Sequence, residues 1–341
     1  MKTHNQVLMN SDPLARSAFI RIITAPRLNQ VLLGLFPFLF FSYLLISYYS
    51  MRPEEPRVGH LQIQMRAATQ QMPFALPEFR LNQRSFFFPE ASQLGAIIVV
   101  DANRQEIVYA KNLHEVMPIA SLTKVFLMEE LLDRIQQGAL TFDKELRAST
   151  RSSLIGGSRV YLREHENTTI EQLAKATMIH SANDAAYLLG EVIGGGDANH
   201  AAQLLTAKAQ TLGLKNTRLY NVNGLPNRGG PDNISTPYEL AQFTFKLMAR
   251  NPEIFEIAST EVDYFRRPGG QDFLLVNRNR PLVRLDYVTG LKTGYTNSAG
   301  FCVITTSNKN NRNLITVILN APSSQIRDRA AKRLIDHFST I

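Results

Sequence analysis

Hydrophobic and polar positions divide the chain into three stretches of different character. The first is "VLLGLFPFLFFSYLLISYY", residues 31 to 49, which carries no charged side chain. As a helix it would extend roughly 28 Å, close to the hydrocarbon thickness of a bilayer. Pro37 is compatible with such a helix, and Tyr48 and Tyr49 suit an interface. The second stretch, residues 51–90, mixes Pro, Gln, Arg and Met without a period. It reads as a linker that partly docks on the folded domain, with "SFFFPE" (85–90) as either the docking point or the first core contact. The third begins near Gly95, where regular periodicity takes over.

Two apolar runs around a polar turn in "GAIIVVDANRQEIVYAKN" predict a β-hairpin. "PIASLTKVFLMEELLDRI", residues 118 to 135, reads as an amphipathic helix. Thr168 with Glu171 looks like a capping box for the helix in "TTIEQLAKATMIHS". Asn183 or Asp184 is expected to cap the next one, "DAAYLLGEVIG". "HAAQLLTAKAQTLGL" is a helix closed by Gly213. Thr236, Pro237 and Glu239 open another, "STPYELAQFTFKLMARNP". Then "DFLLVN", "VTGLKTGYT", "AGFCVITTS" and "RNLITVILNA" read as strands, and "PSSQIRDRAAKRLIDHFS" as a closing amphipathic helix. This order predicts an α+β fold. An antiparallel sheet would join the two ends of the domain, with a helical block inserted between them.

Composition adds limits. The 341 residues are 44% hydrophobic and 19% charged, which is globular. No internal repeat or low-complexity tract is present. Lys2, Arg16, Arg21 and Arg27 precede the long apolar segment, against Asp12 alone. The positive-inside rule then puts the N-terminus in the cytoplasm and everything after Arg52 outside. "SYYSMRPEEP" offers no small-x-small cleavage site, so the segment reads as an uncleaved anchor. The expected organisation is a basic cytoplasmic N-terminus (1–30), a single transmembrane helix (31–50), a linker (51–90) and a folded domain (91–341).

The net charge is +8. Without a dense Lys/Arg block interleaved with aromatics it does not point to nucleic acid, and an anionic polymer or membrane surface suits it better. Cys302 is the one cysteine, so neither an intrachain disulfide nor a thiolate cluster is expected. The seven histidines show no HExxH or HxH spacing. Neither a metal nor another cofactor is expected.

Three short motifs carry chemistry. Ser121 and Lys124 lie three apart at the start of a helix, hence on one face. A serine hydroxyl needs a base, and a lysine amine becomes one when apolar burial or nearby positive charge removes its proton. The helix N-terminus would favour developing negative charge. In "HSANDAA", Ser181 and Asn183 occupy a short link between two predicted helices, which can aim a hydroxyl and an amide in one direction. Lys292, Thr293 and Gly294 lie in a predicted strand, where a cation and a hydroxyl can hold a carboxylate and glycine permits close approach.

SxxK, SxN and KTG in this order resemble the motifs of β-lactamases and penicillin-binding proteins. From about Ser85 to the C-terminus the sequence resembles the D-alanyl-D-alanine carboxypeptidases, the low-molecular-mass penicillin-binding proteins. "PIASLTK", "HSANDAA", "LGLKNTRLYNVNGLP", "STPYELA", "VNRN" and "GLKTGYTNSAGFCV" carry the resemblance. It implies a β-lactamase/DD-peptidase-like fold, with residues 91–341 as the catalytic domain. It also implies that Ser121 is the acylated nucleophile and Lys124 its base. Ser181 and Asn183 would assist proton transfer and hold the substrate amide, and Lys292 and Thr293 would bind the terminal carboxylate. The N–H groups of Ser121 and Tyr295 would form the oxyanion hole. Arg278, in "VNRN", is a candidate carboxylate contact.

The implied activity is removal of the terminal D-alanine from peptidoglycan stem peptides outside the cytoplasmic membrane, in the periplasm or its equivalent, with covalent binding of β-lactams. A DD-endopeptidase, a β-lactamase and a non-catalytic wall-binding protein are the alternatives. The β-lactamase reading needs a further carboxylate for deacylation, and Glu164 and Glu166 do not form the usual loop pattern for one. Two departures from the family pattern bear on specificity. Thr289 stands where an acid is usual, and Tyr295 where a histidine is common.

Overall fold

The computed structural model describes residues 75–341, apart from 228 and 268. The apolar segment 31–50, the basic residues before it and most of the expected linker lie outside these residues. Among the described residues no helix is long and apolar enough to cross a membrane.

In chain order the strands are β1 (Arg80–Leu81), β2 (Ala96–Asp101), β3 (Glu106–Lys111), β4 (Met117–Pro118), β5 (Glu145–Arg147), β6 (Asn167–Thr169), β7 (Ile234–Ser235), β8 (Val262–Phe265), β9 (Phe273–Val276), β10 (Val288–Thr296), β11 (Gly300–Lys309) and β12 (Arg312–Ala321). The α-helices are α1 (Lys124–Gln136), α2 (Thr150–Ser153), α3 (Ile170–Met178), α4 (Asn183–Ile193), α5 (Ala198–Thr211), α6 (Pro237–Arg250), α7 (Glu253–Ser259), α8 (Arg280–Val283) and α9 (Ser324–Phe338).

Among the described residues one sheet has six strands in the order β1-β3-β2-β12-β11-β10. Only the short β1–β3 pairing is parallel. The α+β architecture expected from the sequence is therefore present, with the helical block between β3 and β10. Every residue of β2 is buried. This explains why "AIIVVD" is a continuous apolar run rather than an alternating one, since both faces of the sheet are covered. One face packs Ile97, Val99, Val303, Leu314 and Ile318 against Ala330, Leu334, Ile335 and Phe338 of α9. On the other side α6 packs against β2 and β12, and its Phe243 stacks on Phe126 of α1 at 4.0 Å. Phe79 and Phe88, ahead of β2, are buried at 7% and 1% exposure, so this preceding segment belongs to the core.

Several local expectations shift. The side chain that caps α3 is that of Thr169, which accepts from Gln172 N. Thr168 is instead held in β6 opposite Leu146, with its hydroxyl turned inward. Glu171 pairs with Lys175. Neither Asn183 nor Asp184 caps α4, because the cap position is Ala182. They lie one and two steps further in, where each is used by another part of the molecule. "DFLLVN" is a strand, β9, but it pairs with β8 in a separate two-stranded ribbon. Gly213 closes α5 with φ +88°, and Thr236 Oγ1 accepts from Glu239 N at the start of α6, as the sequence indicates.

Candidate active site

The turn before α1 is a short 3₁₀ segment, Ala120–Thr123, that runs directly into the helix. Ala120 has φ +46°, a conformation that L-residues rarely adopt and that persists only where surroundings hold it. The surroundings here are visible. Ile119 N donates to Asn233 O (3.0 Å), and Thr123 Oγ1 donates to Ala120 O (2.7 Å). Ser121 is left half-buried on the surface of this turn, and Lys124, one turn on, is wholly buried.

Lys124 Nζ donates three hydrogen bonds: to Ser121 Oγ (2.8 Å), Asn183 Oδ1 (2.8 Å) and Asn223 O (2.7 Å). An ammonium has three donors and no acceptor. A neutral amine has one donor fewer and gains a lone pair, so it can accept the Ser121 proton. Burial drives the Lys124 pKa well below its ordinary value, and the charge of Lys292 pushes it further down, while Asp184 opposes. The amine is thus set for a base's role within reach of one hydroxyl.

Asn183 and Ser181 come from the link between α3 and α4. Ser181 has φ +61° and is 6% exposed. Asn183 Oδ1 serves Lys124, and its Nδ2 donates to Gly156 O (2.9 Å). Its amide orientation is therefore fixed from both ends. The third side of the site is β10, the edge strand nearest the 3₁₀ turn. A Cβ on Gly294 would sit 2.9 Å from Ile119 O and 3.1 Å from Ser121 N. Glycine is required there because the strand backbone runs against the Ser121 turn. Gly224 does the same from a different loop. Its φ is +79°, and a Cβ there would meet Ala120 O at 2.0 Å.

Lys292 is 1% exposed and Thr293 6%. Lys292 Nζ donates to Thr293 O (3.1 Å). Burial, Arg278 and Arg327 bring the Lys292 pKa to about 7. Tyr295 is 53% exposed, rests on Phe301 at 4.2 Å and donates its hydroxyl to Asn297 Oδ1. Thr289 shares a 2.8 Å hydrogen bond with Thr306 across to β11. Arg278 touches the Ser181 link. Its Nε donates to His180 O (3.3 Å), and its Nη2 approaches Ser158 Oγ (3.2 Å) and His180 Nε2 (3.1 Å). Apart from Arg278, the sequence-predicted site residues thus fall on three elements that meet at the Ser121 turn: the turn itself with Ser121 and Lys124, the link with Ser181 and Asn183, bonded to it through Lys124, and β10 with Lys292, Thr293, Gly294 and Tyr295, packed against it at Gly294. Arg278 braces the second element.

Glu164 and Glu166 are used elsewhere. Glu164 pairs with Thr150 and His165, and Glu166 with Arg267.

Sequence reasoning passed over an asparagine lattice behind Lys124. Asn233 is 2% exposed. Its Nδ2 donates to Thr123 Oγ1 (2.8 Å) and Asn221 O (2.9 Å), and its Oδ1 accepts from Tyr220 N (2.7 Å) and Asn221 N (3.2 Å). Asn221 Oδ1 in turn accepts from Gly224 N (2.7 Å). The lattice ties the 220–225 loop, which presents Asn223 O to Lys124, to the turn that presents Ser121. The local signal was the density of Asn and Gly in "NVNGLP". Asp184 was also missed in its actual role. Its carboxylate accepts from the N–H groups of Val160, Leu162 and Ala185, and so holds the loop beside Asn183.

A model of the D-alanyl-D-alanine carboxypeptidase family matches residues 88–323. The D-alanyl-D-alanine carboxypeptidase DacF of Bacillus subtilis is 29% identical over 246 residues, covering 72% of this chain and 62% of the relative. This chain thus spans less than two thirds of that relative's length. A D-alanyl-D-alanine endopeptidase of Escherichia coli is 28% identical, with 70% and 75% covered. In three dimensions, penicillin-binding protein D2 of Listeria monocytogenes, in its cefotaxime-bound form, superposes with a TM-score of 0.64 at 26% identity. That match covers 74% of this chain and 98% of the other.

Proposed function

The chain belongs to the D-alanyl-D-alanine carboxypeptidase family, and on that premise we propose that it is a serine peptidase removing the terminal D-alanine from peptidoglycan stem peptides. The observation that carries this reading is Lys124 Nζ, wholly buried and bonded at once to Ser121 Oγ, Asn183 Oδ1 and Asn223 O. In the proposed reaction neutral Lys124 takes the Ser121 proton as Oγ attacks the D-Ala–D-Ala carbonyl. The oxyanion is received by the N–H groups of Ser121 and Tyr295, and the close approach of Gly294 to the Ser121 turn supports this reading. The proton passes through Lys124 and Ser181 to the leaving amine, and Asn183 holds the substrate amide. D-Alanine departs with its carboxylate held by Lys292 and Thr293, with Arg278 adding positive charge beside them. Water then resolves the acyl-enzyme, returning Ser121.

A β-lactam would enter the same path and stop at the acyl-enzyme. Penicillin-binding protein D2, described in a cefotaxime-bound form, supports that extension. A DD-endopeptidase is the second reading, favoured by the likeness to the E. coli endopeptidase, of which this chain covers a larger share than it does of DacF. Release of free D-alanine from a pentapeptide, set against cleavage of a crosslinked dimer, decides between them. Fluorescent penicillin labelling tests the site itself, and equal labelling of wild type and Ser121→Ala would refute the nucleophile.

Residues 31–50 are proposed to anchor the chain in the cytoplasmic membrane by one pass, N-terminus inside, with the catalytic domain on the outer, periplasmic side. The support is the uncharged apolar run and the basic residues before it. A fragment starting after Arg52 should leave the membrane fraction in a high-salt wash, which screens surface charge.

A further inference from the structure

The face of the domain opposite the helical block has an exposed aromatic ring set in positive charge. Phe87 is 90% exposed, between Phe86 and the buried Phe88. Phe86 does not share its exposure, since it stacks on His337 of α9 at 3.9 Å. This brings the 84–90 segment against the outer side of α9. On that helix Ala330, Ala331, Leu334 and Ile335 point into the core, while Arg329, Lys332 and Arg333 point outward with 63%, 51% and 53% of their side chains exposed. Arg84 lies close enough to His337 to lower its pKa, after burial. The acids on this face are few and engaged. Glu90 is 5% exposed beneath Arg329 and Arg333, Asp336 is shared by Lys309, Lys332 and Tyr287, and Asp328 pairs with Arg327.

We propose that this patch, Phe87 with Arg84, Arg329, Lys332 and Arg333, docks the domain on an anionic phospholipid surface. The inference rests on the proposed anchor at 31–50. Two features favour lipid over an anionic wall polymer. An exposed apolar ring on a face that also presents exposed cations matches the boundary between headgroups and acyl chains. Only residues 51–83 lie between the proposed anchor and Arg84, so the tether keeps the patch at high local concentration near the bilayer. Attraction of this kind grows with anionic lipid and weakens with salt.

The chain has no tryptophan, so Phe87→Trp in the full-length protein is a single-site probe. The protein is reconstituted in vesicles of phosphatidylcholine, or of phosphatidylcholine with phosphatidylglycerol. Docking predicts blue-shifted emission and quenching by brominated acyl chains in the phosphatidylglycerol vesicles. Both effects should fall with added salt and be lost in the background of Arg329→Gln with Arg333→Gln. Penicillin labelling of each variant verifies folding. Flotation with pure phosphatidylcholine vesicles reads the anchor separately, and its failure overturns anchor and docking together. Flotation with unshifted, unquenched emission in both lipids overturns the docking alone. So does a variant that keeps its quenching but loses binding to isolated cell walls, which would assign the cations to a wall polymer.

Discussion

Lys124 Nζ lies 2.8 Å from Ser121 Oγ, and the lysine has no exposed surface. This pairing makes the charge state of one amine decisive. In Lys124→Arg the guanidinium stays protonated at any working pH and cannot act as a base. Penicillin labelling of Lys124→Arg should slow by about 10²–10⁴-fold, the usual contribution of a general base. Labelling within a few-fold of wild type would show that another group takes the proton.

The second lysine sets an opposite limit. Lys292 must be charged to attract a carboxylate, and its pKa is about 7. Its charge is therefore lost as pH rises through that value. Lys124 must be neutral, and burial, with the charge of Lys292, favours that form by lowering its pKa well below the ordinary lysine value. The pH profile of kcat/KM should be a bell whose alkaline limb falls near pH 7. A bound carboxylate favours the charged lysine, so the limb in kcat should lie at higher pH. In Lys292→Ala the KM should rise and the alkaline limb should disappear. A limb that survives this substitution belongs to another group.

Asn233 lies far from the motif residues in sequence, yet it bolts the loop of Asn223 to the turn of Ser121. In Asn233→Ala, the part-buried N–H groups of Tyr220 and Asn221 lose their acceptor. The expected loss is about 1–3 kcal/mol in urea unfolding, the range for polar groups left unpaired. The labelling rate should fall as well, because Asn223 O no longer holds Lys124 in line. Asn251→Ala provides the control. Asn251 is also fully buried, but it serves Asp133 at the far end of α1. It should lose stability without slowing the labelling of folded protein.

That contrast marks what was legible in the sequence and what was not. The hairpin of β2 and β3, the long strands β10 to β12 and the helix of Lys124 follow from local periodicity. Ser121, Lys124, Asn183 and Lys292 are detectable because each motif is confined to a few consecutive residues. Asn233 is not, since its partners Thr123 and Asn221 are brought together only by the fold. The same limit displaced the cap of α3. Thr168 and Thr169 are equivalent as local sequence, and only the pairing of β6 with β5 turns the first inward. It also hid the separation of β9 from the main sheet, since partner choice is not written in a strand's own pattern.

Gly294 tests the contact between strand and turn. In Gly294→Ala the new Cβ meets backbone on the facing side, Ile119 O at 2.9 Å and Ser121 N at 3.1 Å. Backbone cannot rotate away as a flexible side chain can. Relief requires β10 and the turn to separate, at a cost of about 1–3 kcal/mol. The proposed oxyanion donors, the N–H groups of Ser121 and Tyr295, would move apart with them. Acylation should fall more steeply than stability, read as penicillin labelling against the thermal midpoint. Equal labelling of the two proteins would mean that the turn and strand are not held at this spacing during the reaction.

His180 gives the site a pH limit of a different kind. Burial, followed by Arg278, lowers its pKa to about 4, with Lys292 acting in the same direction and a main-chain contact at Val276 opposing. The neutral ring faces Arg278 through Nε2 at 3.1 Å. An unfolded chain takes up the proton near pH 6.5, whereas the folded one resists until about 4. The unfolded state therefore binds more protons across this window. His180 contributes stability above pH 6.5 that is lost as the pH falls toward 4. In His180→Gln an acceptor for Arg278 remains but nothing titrates, so the decline in thermal midpoint between pH 6.5 and 4 should be shallower than in wild type. Because His180 immediately precedes Ser181, the same acidification should slow labelling in wild type more than in the variant. Parallel declines in both measurements would remove His180 as the group responsible.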